Sequence, residues 1–267
     1  MTKELIAAIN AAKLAGKYAR KNFGQLSTSH ISAKDRNDFV TVVDRESEKM
    51  IASFLRRRFP SDEILGEEGT LETGSSGRRW IIDPLDGTLN FIHSFPVFAI
   101  SIGLVDEDNE GLVGAIYQPM QKELFTAEKG RGAFMNNHRI RVTKNFRSER
   151  LLLATGFPYK IYEHLDKYVD LFKDVLINTA GIRRPGSAAV DLAYVACGRF
   201  DGFWEYGLNS WDIAAGALIV KEAGGIVTDF KGDNDYLKSG NIIATNGKMH
   251  AWLLDKVQTH FGTNFEK

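Results

Sequence analysis

Between residues 3 and 22 the apolar positions recur at three- and four-residue steps: Leu5, Ala8, Ile9, Ala12, Ala15 and Ala19. That spacing predicts an amphipathic helix. A second helix is predicted over 43–58, where Val43, Ser47, Met50, Ile51, Phe54 and Leu55 share a side and Phe59-Pro60 ends the pattern. The three arginines 56–58 fall in its last turn, where cations suit the negative end of the helix dipole, so they read as a solvated cap. From 63 to 143 the period changes. "EIL", "RWIID", "FAISIGLV", "LVGAIY", "ELFTAE" and "HRIRVT" are short, rich in β-branched or aromatic residues, and punctuated by Gly, Asn or Asp. Consecutive strands with short connections predict an antiparallel sheet.

After residue 150 strands and helices alternate. "LLLATG" reads as a strand, and Tyr162, Leu165, Val169, Phe172 and Leu176 mark a helix. "GIRRPG" precedes a helix running from Ser187 to Gly198, and "DGFWEY" precedes one from Trp211 to the Gly224-Gly225 stop. "GIVTD" and "NIIATN" are strands, and 247–260 form a last helix. The expected architecture is two sheets with helices outside and between them. It forms one domain spanning 1–267, with a seam near 145–150 dividing an antiparallel half (1–147) from an α/β half (148–267).

Composition narrows the function classes. Thirty-four basic side chains balance 34 acidic ones, which leaves no global field for non-specific nucleic-acid or anionic-membrane binding. Cys197 is the single cysteine, so no internal disulfide forms and a reducing compartment is expected. No apolar run approaches the roughly 20 residues of a membrane span, and the N-terminal stretch lacks the pattern of a signal peptide. A cytoplasmic location follows as an expectation, with no membrane partner. The six histidines, at 30, 93, 138, 164, 250 and 260, do not cluster and read as structural or exposed.

The acidic residues are another matter. In "IIDPLDGTLN" (81–90) an apolar run ends in Asp83 and Asp86 either side of Pro84-Leu85, with Gly87 and Thr88 following. Unpaired carboxylates gain nothing from burial, so something has to neutralise them. Pro84 biases Asp83 to an extended conformation and Gly87 permits a sharp turn, so the two carboxylates can converge with a main-chain carbonyl between them. Converging oxygens are what hard divalent cations select, and the absence of His and Cys disfavours zinc. Glu67 and Glu68 in "LGEEGT" and Asp212 at the start of a helix stand at similar element ends. Taken singly, each of these acids reads as a turn residue, a solvated loop residue or a helix-dipole partner. Their joint occurrence points to a site.

"GEE", "WIIDPLDGTLNF" and "WDIAAGALIVKEAGG" together resemble the signatures of the inositol monophosphatase family of Mg²⁺-dependent, lithium-sensitive phosphatases. "NDFVTVVD" (37–44), "ELFTAEKGRGAF" (123–134) and "RPGSAAVDLAYVACGRFDGFWEYGLNSWD" (184–212) extend the likeness over nearly the whole chain. "ATGFP" (154–158) and "RPGSAA" are most similar to the bacterial inositol-1-monophosphatase branch, the SuhB type. The resemblance implies a layered αβαβα sandwich, an antiparallel sheet in its first half and a mixed sheet in its second. It also implies hydrolysis of myo-inositol monophosphates such as inositol 1-phosphate, with tolerance for other small polyol phosphates such as glycerol 2-phosphate, and two to three Mg²⁺ ions per site.

By the same likeness, Glu67, Asp83 and the main-chain oxygen of Leu85 would hold a first ion. Asp83, Asp86 and Asp212 would hold a second, and Glu67 would assist a weaker third. Thr88 would position the attacking water, with Asp44 as its basic partner. Asp86, Gly87, Thr88 and Asp212 would face the substrate, and Gly186, Ser187 and Ala188 would offer it a helix N-terminus. For Ser187 a plain N-cap is an equal reading. Glu205 would bind inositol hydroxyls, although alone it reads as a surface strand-end acid. Lys34 lies near the position of a phosphate-proximal lysine. Leu89 replaces the usual second threonine of the "DGT" motif. Fructose-1,6-bisphosphatase and nucleotide 3′-phosphatase (3′-phosphoadenosine phosphatase) activities use the same metal set. Relatives also act in transcription antitermination on RNA polymerase, for which Arg183 and Arg184 could serve a protein contact or simply position the "PGSAA" loop. A homodimer is expected from likeness.

Overall fold

The computed structural model describes residues 1–35, 38–157, 163–263 and 265. Asn37, Pro158 and Tyr162 lie outside the described residues, as does the side chain of Lys34.

α1 (Lys3–Asn22) starts at Thr2, whose Oγ1 accepts the Leu5 N–H at 3.2 Å. A hairpin of β1 (Ile31–Asp35) and β2 (Asp38–Thr41) follows and leads into α2 (Val42–Arg56). That hairpin escapes the hydrophobic pattern because "ISAKDRNDFVT" is mostly polar and, among the described residues, its two strands pair only with each other. Next come β3 (Glu63–Gly66), β4 (Leu71–Glu72), β5 (Arg79–Asp86), the short α3 (Thr88–Ile92), β6 (Ala99–Val105), β7 (Gly111–Gln118), β8 (Glu123–Glu128), β9 (Gly132–Met135) and β10 (His138–Ile140). Among the described residues these strands form one sheet in the order β10-β9-β8-β7-β6-β5-β3-β4. It is antiparallel except where β3 runs parallel to β5. "HRIRVT" leaves the sheet after Ile140, because the Val142 N–H turns to the Ala223 carbonyl at 3.2 Å.

The second half comprises β11 (Leu152–Thr155), α4 (Leu165–Ile177), β12 (Gly181–Arg183), α5 (Ala188–Ala196), β13 (Gly202–Glu205), α6 (Ser210–Glu222), β14 (Ile226–Thr228), α7 (Tyr236–Ser239), β15 (Ile242–Thr245) and α8 (His250–Phe261). Its sheet, in the order β12-β11-β13-β15-β14, is mixed. The layers are those expected: α1 and α2, the large sheet, α5 and α6, the smaller sheet, then α4 and α8. Among the described residues no helix is long and apolar enough to cross a membrane.

α6 is apolar all round, as a helix with sheets on both sides must be. Gly103 of β6 and Gly114 of β7 stand opposite one another in register and face Ala214 and Ala215 of α6. A Cβ on Gly103 would lie 2.9 Å from the Ala214 methyl, and one on Gly114 would lie 2.7 Å from the Ala215 carbonyl. The glycine pair therefore sets how close α6 sits to the sheet. Since α6 starts at Ser210, that distance also places Asp212.

Candidate active site

Strand geometry explains how Asp83 and Asp86 come together. In a regular strand, residues three apart point to opposite faces. Here Asp83 pairs with Ser101 and Asp86 with Ala99, so Pro84 and Leu85 together oppose Ile100 alone. This bulge shifts the alternation by one residue and turns both carboxylates to the same side. Pro84 fits a bulge because it has no N–H to lose from the ladder. The Leu85 N–H instead donates to Asp83 Oδ1 at 2.9 Å. Gly87 then takes a left-handed conformation at φ 97°, where an added Cβ would lie 3.0 Å from the Val97 carbonyl, and α3 begins at Thr88.

Asp212 arrives from α6. As the third residue of the helix it accepts the Asn209 N–H on Oδ2 at 2.7 Å in a capping box, which fixes its rotamer. Ligand oxygens of Asp83, Asp86 and Asp212 lie within 4.8 Å of one another. Asp83 is 1% exposed and Asp86 9%. Burial pushes the Asp83 carboxyl well above the usual range, and the neighbouring charges of Glu67, Asp86 and Asp212 push it further. Burial raises Asp86 to about 6, against the lowering effect of hydrogen bonds from Ser187 and the main chain. Crowded, largely buried and all-oxygen, the group could hold a hard cation. Magnesium fits that donor set, and the imidazole or thiolate that would favour zinc is missing from the residues lining the pocket.

Glu67 lines the same pocket and faces Asp83; Glu68 is not among the lining residues. The turn that carries them is held by a residue the sequence reading missed. Glu48 of α2, 3% exposed, accepts the N–H groups of Glu68 at 2.7 Å and Thr70 at 2.9 Å. Its only sequence signal is its place on the buried face of an amphipathic helix.

Asp44 occupies the third position of α2 and forms a capping box with Thr41, accepting that residue's N–H at 2.9 Å and its hydroxyl. Its other oxygen lies 2.8 Å from Thr88 Oγ1, which is also 3.1 Å from the Leu85 carbonyl. The structure therefore joins Asp44, Thr88 and the Leu85 oxygen across two distant segments. Burial raises the Asp44 pKa, and the bonds from Thr41 and Thr88 act against that rise.

Ser187 combines its two alternative readings. Its Oγ accepts the Val190 N–H at 3.3 Å as the N-cap of α5 and donates to Asp86 Oδ2 at 2.5 Å. The Ala189 N–H reaches the same oxygen at 2.7 Å. The N-terminus of α5 thus receives a side-chain carboxylate. Gly186, Ser187 and Ala188 line the pocket around it, and Asn90 pins the loop by donating to the Pro185 carbonyl at 2.9 Å and the Val97 carbonyl at 2.8 Å.

Glu205, Asp191 and Arg184 also line the pocket, near enough to Asp86 for their charges to interact. Glu205 is buried, and desolvation raises its carboxyl to about 8 although Arg184 acts to lower it. Gly156 of "ATGFP" makes room for it, since any Cβ there would overlap the Glu205 carboxylate. Arg184 is not simply a surface contact or a loop prop: it lines the pocket, and its charge acts on Asp86, Asp191 and Glu205. Asp191 escaped sequence reading, although it lies four residues beyond Ser187 and so shares that residue's helix face. Among the described residues no histidine lines this pocket, and His250 is held inside the fold between Thr228 and Thr245.

Three comparisons bear on this site. The model of the inositol monophosphatase family matches residues 1–261. Among curated proteins, the Nus factor SuhB of Pseudomonas aeruginosa is 44% identical over 266 residues, 97% of each chain. The inositol-1-monophosphatase of Mesorhizobium japonicum is 42% identical over 251 residues, 94% of each chain. Among solved structures, the extragenic suppressor protein suhB of Bartonella henselae superposes with a TM-score of 0.92 at 41% identity, over 96% of this chain and 99% of that one.

Proposed function

The chain belongs to the inositol monophosphatase family, and from that premise we propose that it is a Mg²⁺-dependent phosphomonoesterase acting on myo-inositol monophosphate. The observation that carries the reading is the convergence of Asp83, Asp86 and Asp212 beside the Thr88–Asp44 pair. Phosphate-monoester hydrolysis is among the slowest uncatalysed reactions, so hydrogen bonds alone cannot supply the barrier reduction. Glu67, Asp83, the Leu85 oxygen, Asp86 and Asp212 would hold magnesium, which would supply Lewis-acid stabilisation of the phosphoryl oxygens and a water of lowered pKa.

The chain's own groups do the rest. A hydroxyl has one proton, and Asp44 Oδ1, at 2.8 Å closer than the Leu85 carbonyl at 3.1 Å, takes the Thr88 hydrogen bond. Thr88 Oγ1 is then left as an acceptor that orients a water for in-line attack. Ser187 and the Ala189 N–H keep one Asp86 oxygen fixed, so the other stays aimed into the pocket. The Gly87–Thr88 turn would meet the phosphate, and Glu205 would accept hydroxyls of the alcohol.

Phosphate release from myo-inositol 1-phosphate, glycerol 2-phosphate, fructose 1,6-bisphosphate and 3′-phosphoadenosine 5′-phosphate tests this, with and without Mg²⁺ and with added Li⁺. The reading expects Mg²⁺-dependent turnover led by inositol 1-phosphate and inhibited by Li⁺. Preference for the bisphosphate or the bisnucleotide would replace the substrate, and metal-independent turnover would remove the mechanism.

A second reading comes from the P. aeruginosa relative's name, a Nus factor. It gives the chain a contact with the RNA polymerase machinery, made as a homodimer in the cytoplasm and independent of catalysis. Asp83→Asn separates the two roles. Loss of phosphatase activity without loss of growth in the cold would assign the cellular role to binding.

A further inference from the structure

We propose that Asp191 is a hydroxyl-binding residue that works with Glu205 to select esters whose alcohol is a polyol. The inference rests on the phosphomonoesterase reading and adds a residue to the alcohol end of that site.

Asp191 is 1% exposed on α5 and lines the pocket, and its Oδ1 has no hydrogen-bond partner among the described residues. Buried carboxyl oxygens are nearly always partnered, and one left open reduces stability unless a ligand completes it. Each of the other pocket aspartates has one oxygen hydrogen-bonded within the chain: Asp83 to the Leu85 N–H, Asp86 to Ser187 and the Ala189 N–H, Asp212 to the Asn209 N–H. Asp191 and Glu205 lie near enough for their charges to interact, and the Arg184 guanidinium acts on both. With one cation beside two acids, Asp191 Oδ1 is left in the wall of the pocket without a donor. Carboxyl oxygens accept hydrogen bonds from the hydroxyls of a sugar or cyclitol. The ester's phosphate would then meet Asp83, Asp86 and Asp212, and its alcohol Asp191 and Glu205.

The test compares the wild-type protein with Asp191→Ala and the near-isosteric Asp191→Asn. Two esters are used in Mg²⁺: myo-inositol 1-phosphate, and phenyl phosphate, which carries no hydroxyl. Phenyl phosphate is followed as substrate or as competitive inhibitor. In Asp191→Ala the inositol ester should show KM raised about ten-fold, while the phenyl phosphate constants stay within about two-fold. Asp191→Asn should show the same split, smaller, with a ligand-free melting temperature no lower than wild type. Equal losses on both esters, no change on either, or a lower melting temperature for Asp191→Asn would overturn the proposal. Turnover of phenyl phosphate without any of inositol 1-phosphate in the wild type would sink this inference and leave the phosphomonoesterase standing. If the wild type hydrolyses neither, both fall.

Discussion

Removing the metal should make the protein's stability fall as pH rises. Asp86 titrates at about 6 in the fold against 3.8 for a free aspartate. At about 1.4 kcal/mol per pH unit, charging it inside the metal-free fold costs about 3 kcal/mol. The sign follows from the direction of the shift. With its folded pKa raised, Asp86 contributes stability that is complete below the unfolded value and is lost as pH climbs through about 6. Asp83 acts in the same direction and further up the scale, because Glu67, Asp86 and Asp212 repel its charge on top of burial. Glu128 and Asp174, whose carboxyls are lowered by their partners, act with the opposite sign, but only at the acid edge. Urea unfolding in EDTA, from about pH 4.5 to about pH 7.5, should therefore show stability dropping by about 3 kcal/mol or more. Millimolar Mg²⁺ should reduce the slope, because the cation replaces the protons lost from Asp83 and Asp86, while Glu205, Asp191 and Asp44, also raised by burial, keep their share of it. Asp83→Asn removes one buried charge and should be more stable than wild type in EDTA at neutral pH, with a smaller response to Mg²⁺. The reasoning is refuted if metal-free stability is level or rises across that window, or if Mg²⁺ stabilises Asp83→Asn as much as wild type.

Other variants separate the roles within the site. Thr88→Ala and Asp44→Asn should each lower kcat on the order of a hundred-fold while leaving stabilisation by Mg²⁺ intact; a matching loss of Mg²⁺ stabilisation would mean that the pair shapes the metal site instead. Glu48→Ala leaves the N–H groups of Glu68 and Thr70 unpaired, so Mg²⁺ titrations should show weaker binding and melting a loss of about 1–3 kcal/mol; unchanged Mg²⁺ affinity would show that the turn holds itself. Gly156→Ala places a methyl on the Glu205 carboxylate, so KM for inositol 1-phosphate should rise with the circular dichroism spectrum preserved, and an unchanged KM would argue against Glu205 as a substrate contact.

Much of this molecule can be read from the chain because its signals are local. The stripe on α1, the buried run of β5 and the Gly224-Gly225 stop of α6 each announce their element, and Asp83 and Asp86 stand out as acids at the end of an apolar strand. What stayed hidden depends on contacts between distant segments. The bulge opposite Ile100 exists only once β6 is paired, and the Gly103–Gly114 register acquires meaning only against Ala214 and Ala215. Glu48 looked like an ordinary helix-face residue because the N–H groups it holds lie 20 and 22 positions away. Arg184 read as a loop arginine because Asp191 and Glu205 come from a later helix and strand. The β1–β2 hairpin is too polar and too short to show any period.

The central claim is that acids from β5 and α6 form one divalent-cation centre. Anomalous diffraction from crystals grown with Mn²⁺, a scattering substitute for Mg²⁺, tests it most directly. The account predicts a peak bonded to carboxylate oxygens of Asp83, Asp86 and Asp212. Crystals saturated with Mn²⁺ that place the ion elsewhere, with those oxygens bonded only to water, would contradict it.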